Sequence, residues 1–437
     1  MLRKVIAASA IGNATEWYDY GVFAATATYI GEAFFPGDLS TLSTMLTFAI
    51  SFVLRPLGGM VWGPIGDRLG RKTVLAATIL LMSAATFLIA FIPSHASIGV
   101  AAPILLVLLR VIQGFSTGGE YGGAATFMAE YSPDKDRGKY GSFLEFGTLA
   151  GFVMGAGVVL LCQKTISEAS MGDWGWRIPF LIAAPLGLIG WYLRTKMDDT
   201  PVFTEAESSD SSEMETSAWA RFVELLRDYR RPILTMFGMV IALNVVQYTL
   251  LTYQPTYLEK NIGMDEDTTT LLVLIGEVVM MAVIPFIGRW SDKTGRKPMW
   301  WTSLISLFIL AIPMYWLMGQ GFGWALLGFA VLGLLYLPQL ATISATFPAM
   351  FPTQVRYAGF ALSYNVATAA FGGTAPFVND AAIRGTNWDL FPALYMMIAC
   401  VIGMVAVYFL RETAGMSIRG TEIPGKEPEP VKADSST

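Results

Sequence analysis

"GPIGDRLGRK" (Gly63–Lys72) and "GRWSDKTGRK" (Gly288–Lys297) are two copies of one pattern, G-x-x-x-D-[RK]-x-G-R-K, set 225 residues apart in a chain of 437. Each copy follows a long apolar stretch and precedes another. Six matched positions at equivalent points of the two halves mark an internal duplication. A second correspondence lies further along each half, where "YSPDKDRGKYGS" with Arg137 and "FPTQVRYAGFALS" with Arg356 form basic turns.

The segments around these loops define the class. Hydrophobic residues make up 54% of the chain and charged residues 14%, against about 25% charged in soluble domains. Apolar runs between charged or Pro/Gly-rich breaks predict twelve helices, at 5–30, 42–66, 74–92, 100–129, 141–163, 176–194, 232–258, 269–289, 299–318, 323–347, 357–379 and 390–410. Each could cross a hydrocarbon core of ~30 Å. The expected fold is an all-α membrane protein, with twelve transmembrane helices in two six-helix pseudo-symmetric bundles. The domains are 1–194, a linker at 195–231, 232–411 and a tail at 412–437. The linker is acidic and Ser-rich, then turns into a short amphipathic helix candidate. The tail is polar and Pro-rich, lacks heptads and reads as disordered. The first apolar run is too long for a signal-peptide core and is expected to be retained.

Basic residues orient the chain. With the N-terminus inside, 23 Lys and Arg fall on one side and four (Lys164, Arg177, Lys260, Arg384) on the other, while Arg55 and Arg110 lie within spans. The positive-inside rule then places both termini and the linker in the cytoplasm. With 29 basic and 34 acidic residues, the chain lacks the basic excess that nucleic acid demands. Two cysteines in apolar segments and one histidine, His95, in a loop offer no metal cluster. No nucleophile–base pair or phosphate loop is evident, so no catalytic, metal or cofactor site is expected.

The duplicated loop suits a conformational gate. Gly63 and Gly70 permit close helix approach. Asp67 can hold the positive N-terminal end of a helix from the opposite half. Arg68 and Arg71 can pair with carboxylates such as Glu130. Gly288, Asp292, Gly295 and Arg296 are the counterparts, with Arg137 and Arg356 in the basic turns. Two parallel six-helix repeats about a central site form a transporter plan.

The loop resembles the signature of the major facilitator superfamily, and "RVIQG" (110–114) resembles that superfamily's second motif. "GNATEWYDYG" (12–21), "LRPLGG" (54–59), "QGFSTGGEY" (113–121), "AEYSPDKDRG" (129–138), "DWGWRIPF" (173–180), "LTYQPTYL" (251–258) and "FPAMFPTQVRY" (347–357) look like its metabolite:proton symporter branch. Within that branch the chain is most similar to the proline/betaine osmoprotectant transporters. The resemblance implies a secondary transporter in a bacterial-type cytoplasmic membrane, with a small solute, protons and lipid as its partners and a monomer as its working unit. Some such transporters carry a coiled-coil extension for osmotic regulation, which this tail lacks.

Ionisable residues within spans point to the site. A charge at mid-membrane costs several kcal/mol unless it faces water or a partner, and a buried carboxyl is suited to carrying a proton. Asn13, Glu16, Trp17 and Tyr20 share one stripe of the first helix, with Asp19 only ~60° from Glu16. Arg110, Gln113, Thr117 and Glu120 fall within an arc of about 80° on the fourth. Glu145 lies in the fifth, where Gly147, Gly151 and Gly155 read as a packing face. Glu16, Asp19, Arg110, Glu120 and Glu145 are therefore the proton-coupling candidates. Glu277, alone in the second half, has no assigned role.

Arg55 or Arg110 could bind a carboxylate, and Trp17, Tyr20, Tyr121, Tyr248 and Tyr253 could face an ammonium. With Asn13, Gln113, Asn244, Gln247 and Asn365 they make up the substrate candidates, suited to a zwitterion such as proline or glycine betaine. An organic anion (a dicarboxylate, 2-oxoglutarate or shikimate) is the rival cargo on the same fold. A membrane enzyme has no supporting motif, and paired gate loops fit alternating access better than a passive channel.

Overall fold

Backbone amides and carbonyls in hydrocarbon must be satisfied within their own segment, and a helix does this. The computed structural model describes residues 2–69, 71–195, 227–352 and 355–418, and these described residues form twelve successive helical rods. In the first half these are α1 (Leu2–Phe34), α2 (Ser40–Val53, continued by Arg55–Leu69), α3 (Arg71–Ile89), α4 (Ala101–Thr117, continued by Glu120–Tyr131), α5 (Arg137–Thr165) and α6 (Ile178–Thr195). In the second half they are α7 (Arg230–Lys260), α8 (Glu266–Thr294), α9 (Arg296–Met318), α10 (Phe322–Ala341, continued by Ile343–Thr346), α11 (Arg356–Ala367, a π-helical turn, then Ala375–Thr386) and α12 (Phe391–Phe409). Large apolar side chains such as Leu161, Phe286 and Trp316 are exposed on the outside, while Glu16, Asp19, Arg110 and Glu145 are buried. That inversion suits an apolar solvent.

Nine helices among the described residues are long and apolar enough to span a bilayer. The three rods outside that group are α1, α3 and α11. On α3 the apolar stretch counted among the described residues is Ala76–Ile89. The other two are diluted by buried polar groups, Asn13, Glu16 and Asp19 on α1 and Ser363, Asn365, Thr368, Asn379 and Asp380 on α11.

Within the first half α1 packs on α5 and α3 on α6; within the second, α7 packs on α12 and α9 on α10. The halves meet along α5–α8, α2–α11 and α1–α7. The Gly147, Gly151, Gly155 face packs as its spacing predicts: Cβ atoms there would lie 2.3 Å from the Ala10 carbonyl oxygen, 2.7 Å from that of Ala14 and 2.6 Å from the Val22 nitrogen. Between α2 and α4 the approach is closer still, since a Cβ on Gly114 would sit 1.6 Å from the Ser51 carbonyl oxygen.

Two π-helical turns, Tyr248–Tyr253 in α7 and Thr368–Gly372 in α11, were not legible in the pattern of apolar residues. Such turns often mark functional sites. Here Gly372 and Gly373 receive the rings of Tyr248 and Phe52 (2.8 and 2.3 Å from where a Cβ would be).

Of the expected tail, residues 412–418 are tied down rather than loose. Glu412 accepts from the amides of Arg296 and Lys297 at the start of α9 (2.9 and 3.0 Å). Arg137 donates to the Met416 carbonyl at 3.1 Å, and Arg356 to that of Ile418. A helix N-terminus and buried guanidinium groups need acceptors, and this segment supplies them. The linker from 196 to 226 and its amphipathic helix candidate lie outside the described residues.

Candidate functional site

Asp19 is held by three neighbours from two helices. Arg110 on α4 pairs with its Oδ2 at 2.9 Å, and both side chains are at most 3% exposed. Gln113, one turn along, donates to Oδ1 at 2.9 Å and to Thr86 at 2.8 Å, while Thr86 of α3 donates to Oδ1 at 3.0 Å. The Arg110 guanidinium lies 3.8 Å from the Phe23 ring centroid. A carboxylate with one full counter-charge and two neutral donors is satisfied as an anion. Every one of these partners belongs to the first half.

Glu145 is held differently. Tyr121 donates to Oε1 at 2.5 Å and Thr148 to Oε2 at 2.9 Å. Asn13 donates to Thr148 and to the Leu144 carbonyl, both at 2.7 Å, and receives the Trp17 indole N–H at 3.2 Å. All donors to this carboxyl are neutral. The Tyr121 ring stacks on Tyr364 of α11 at 4.6 Å between centroids, so the network ends on a side chain of the second half.

The third cluster straddles the midline. Arg55 on α2 donates to the Tyr20 hydroxyl, and its guanidinium carbon lies 4.4 Å from the Phe52 centroid. Tyr248 of α7 meets Phe52 at 5.1 Å and Trp17 at 6.3 Å, and Trp17 meets Tyr20 at 5.1 Å. Arg55 is 2% exposed and makes no ion pair among the described residues. Glu16 lies within electrostatic range of Tyr20, Arg55, Tyr248 and Tyr364. The result is a buried cation walled by aromatic rings from both halves.

Contacts between the halves close both ends. At the end carrying the repeat loops, Asp292 accepts from the amides of Gly138 and Lys139 (2.7 and 2.8 Å) and from Arg296 (2.5 Å). Glu130 pairs with Arg356 of the other half at 2.9 Å, while Arg137 pairs with Asp134 of its own half. A Cβ on Gly288 would lie 2.5 Å from the Gly138 carbonyl oxygen, so α5 and α8 touch here. Gly295 turns the chain at φ +95°. Deeper in, Asn365 donates to the Gly118 carbonyl at 2.9 Å and Tyr357 to that of Gly119 at 3.0 Å. At the far end Thr28 donates to Glu259 at 2.6 Å, Arg384 to the Asp38 carbonyl at 3.0 Å, and Lys164 pairs with Asp267.

Several expected site residues stand elsewhere. The α4 stripe passes a turn at Gly118–Gly119 and still meets one neighbour: Gln113 reaches Thr86 of α3, and Thr78 of α3 donates to Glu120 at 3.4 Å. Gln113 belongs to the Asp19 cluster, not to the aromatic one. Asn244 donates to Thr368 (2.8 Å) and Gln247 accepts from Tyr336 (3.1 Å), both inside the second half. Tyr253 sits further along α7 beside Tyr257. Of Gly63, Asp67, Arg68 and Arg71 the structure describes only the helical path of the backbone, and Gly70 lies outside the described residues. Glu277 is buried on α8, one turn from Met280, which packs on Gly333 of α10. Tyr364, Thr86, Thr148 and Phe52 were missed by the sequence reading. Only Tyr364, beside Asn365 in a polar stretch, carried a signal.

The chain matches known proteins along most of its length. A sequence profile described as "Major Facilitator Superfamily" matches residues 9–376. The "Proline/betaine transporter" of Escherichia coli (strain K12) is 42% identical over 431 residues, covering 96% of this chain and 85% of that protein. The "Glycine betaine/proline/ectoine/pipecolic acid transporter OusA" of Dickeya dadantii (strain 3937) is 41% identical with the same coverage. Among solved structures, the proton:xylose symporter XylE bound to 6-bromo-6-deoxy-D-glucose superposes with a TM-score of 0.76 at 17% identity, over 95% of this chain and 97% of that one.

Proposed function

The chain belongs to the Major Facilitator Superfamily, and from that premise we propose that it is a proton-coupled symporter importing a zwitterionic compatible solute such as proline or glycine betaine. One observation carries the choice of cargo: Arg55, a buried guanidinium with no ionic partner among the described residues, stands in an aromatic enclosure completed by Tyr248 from the other half. Glu16 reaches Arg55 only through its field, and a substrate carboxylate would supply the direct, bidentate ionic contact. A ring face of Trp17, Tyr20 or Tyr248 would take the ammonium end. Because the enclosure spans the midline, bound substrate would touch both halves and favour their closed arrangement.

Coupling rests on two carboxyl groups with unlike surroundings. Asp19 keeps its counter-charge Arg110, and protonation would release that arginine. Glu145 has only neutral donors, and its partner Tyr121 leans on Tyr364 across the midline. Proton occupancy of Glu145 is therefore placed to alter how the halves meet. The repeat-loop end is the cytoplasmic gate, both termini lie on that side, and the working unit is a monomer of two six-helix bundles in a bacterial-type cytoplasmic membrane. A dicarboxylate such as 2-oxoglutarate requires more positive charge than Arg55 alone supplies, since Arg110 is already neutralised by Asp19; a monocarboxylate such as shikimate would leave the aromatic faces without a cation to receive.

Proteoliposomes under an imposed proton gradient test the proposal. Labelled proline or betaine should be concentrated, dicarboxylates should not compete, and an uncoupler should abolish accumulation. Concentration of a dicarboxylate instead would overturn the choice of cargo.

A further inference from the structure

Where α7 begins and α12 ends, a groove of about 1110 Å³ opens between the two helices. Its mouth holds Arg227, Arg230, Arg231 and Arg411 against one acid, Asp228. All four arginines are exposed, and none forms an ion pair among the described residues. Arg230 and Arg231 open α7, where unpaired amides already give the helix end a partial positive charge. Acids are favoured at such a position and bases are not, so the mouth concentrates positive charge that the described protein leaves unbalanced.

The walls are of the opposite character. Leu234 on α7 and Ile402, Val405 and Phe409 on α12 line the groove and are exposed. Ile402, Val405 and Phe409 follow one face of the helix, by the spacing i, i+3, i+7. The groove closes where α7 and α12 touch: a Cβ on Gly238 would lie 2.8 Å from that of Ala406. The walls thus run from a cationic mouth along the lipid-facing side of a membrane bundle.

A molecule that fits is anionic at one end and apolar along the rest. We infer that the groove between α7 and α12 binds an anionic phospholipid, its phosphate among the four arginines and an acyl chain along Val405 and Phe409. Arginine forks match phosphate oxygens, and basic pockets between helices at a cytoplasmic membrane face suit anionic headgroups. A free phosphate would leave the apolar walls unused, and a zwitterionic headgroup would leave the mouth's charge uncompensated.

Native mass spectrometry of the detergent-purified full chain, after incubation with phosphatidylglycerol or phosphatidylethanolamine at equal mole fraction, reads this directly. Wild type should retain phosphatidylglycerol roughly tenfold more than phosphatidylethanolamine, because both offer a phosphate but the ethanolamine ammonium cancels its charge and is repelled by the four arginines. Arg230→Gln with Arg231→Gln should lose that preference, as should Arg411→Gln, which lies outside α7 and guards against a local fault in that helix. Val405→Asn with Phe409→Asn should weaken retention with the charge unchanged. Equal retention of the two lipids, unchanged preference in both arginine variants, or displacement by inorganic phosphate would each overturn the assignment.

Discussion

The Asp292 carboxylate of the second half receives the Gly138 amide of the first at 2.7 Å, at the start of α5. With the Lys139 amide at 2.8 Å beside it, one side chain holds the N-terminal end of a helix from the other repeat. This is the contact expected of Asp67, made by its repeat counterpart. Asp292→Asn keeps the shape and removes the charge that matches the helix end. The closed state should lose about 1.5–3 kcal/mol, a roughly 10- to 100-fold shift in the gate equilibrium. Labelling of a cysteine placed behind the gate should rise from that side, and turnover should slow while substrate affinity changes little. An equal loss of affinity would argue against gating.

The Asp19–Arg110 pair permits a separation of stability from coupling. Asp19→Asn leaves a buried guanidinium without a counter-charge, which should cost about 3–5 kcal/mol and lower the thermal midpoint. Asp19→Asn with Arg110→Gln should restore the midpoint but not proton-driven accumulation. Recovery of uphill uptake in the double variant would assign the pair a purely structural role.

Tyr121→Phe removes a 2.5 Å donor from Glu145 yet keeps the ring that stacks on Tyr364. Uphill accumulation should fall, whereas exchange of labelled for unlabelled substrate, which needs no net proton movement, should persist. Equal loss of both activities would place Tyr121 in substrate binding instead.

Arg55→Lys preserves charge but not the planar fork. Loss of bidentate recognition should raise KM about tenfold or more, with a smaller effect on maximal rate. An unchanged KM for proline or betaine would remove Arg55 from the cargo site.

Gly114→Ala introduces a Cβ that would meet the Ser51 carbonyl oxygen at 1.6 Å. Because the obstruction is backbone, α2 and α4 must move apart, at a cost of several kcal/mol. Membrane-inserted protein should drop sharply, as judged by detergent-stable yield. Gly157→Ala, whose nearest neighbour is the Leu274 Cδ1 at 3.9 Å, should be tolerated.

The helical rods, the duplication and the buried rank of Glu16, Asp19, Arg110 and Glu145 were legible in the amino-acid order, because hydropathy and repeat spacing are local properties. Close packing at Gly147, Gly151 and Gly155 was legible for the same reason. Pairing was not. On α1 the two acids lie about one turn apart, yet Asp19 meets Arg110 while Glu16 shares the field of Arg55. Periodicity gives a residue's direction around its own helix but not which neighbouring helix lies there. Likewise the α4 arc showed that Gln113 and Glu120 share a direction, but not that both would reach threonines of α3, Thr86 and Thr78.

Only the tertiary arrangement brought Tyr248 and Tyr364 against the first half, and only it gave residues 412–418 acceptors to offer at the helix ends. Those contacts join positions separated by up to several hundred residues, and their strength depends on distance and burial that no spacing rule contains. The chain's order settled that its polar groups must turn inward from lipid; the packing of twelve helices decided which of them meet.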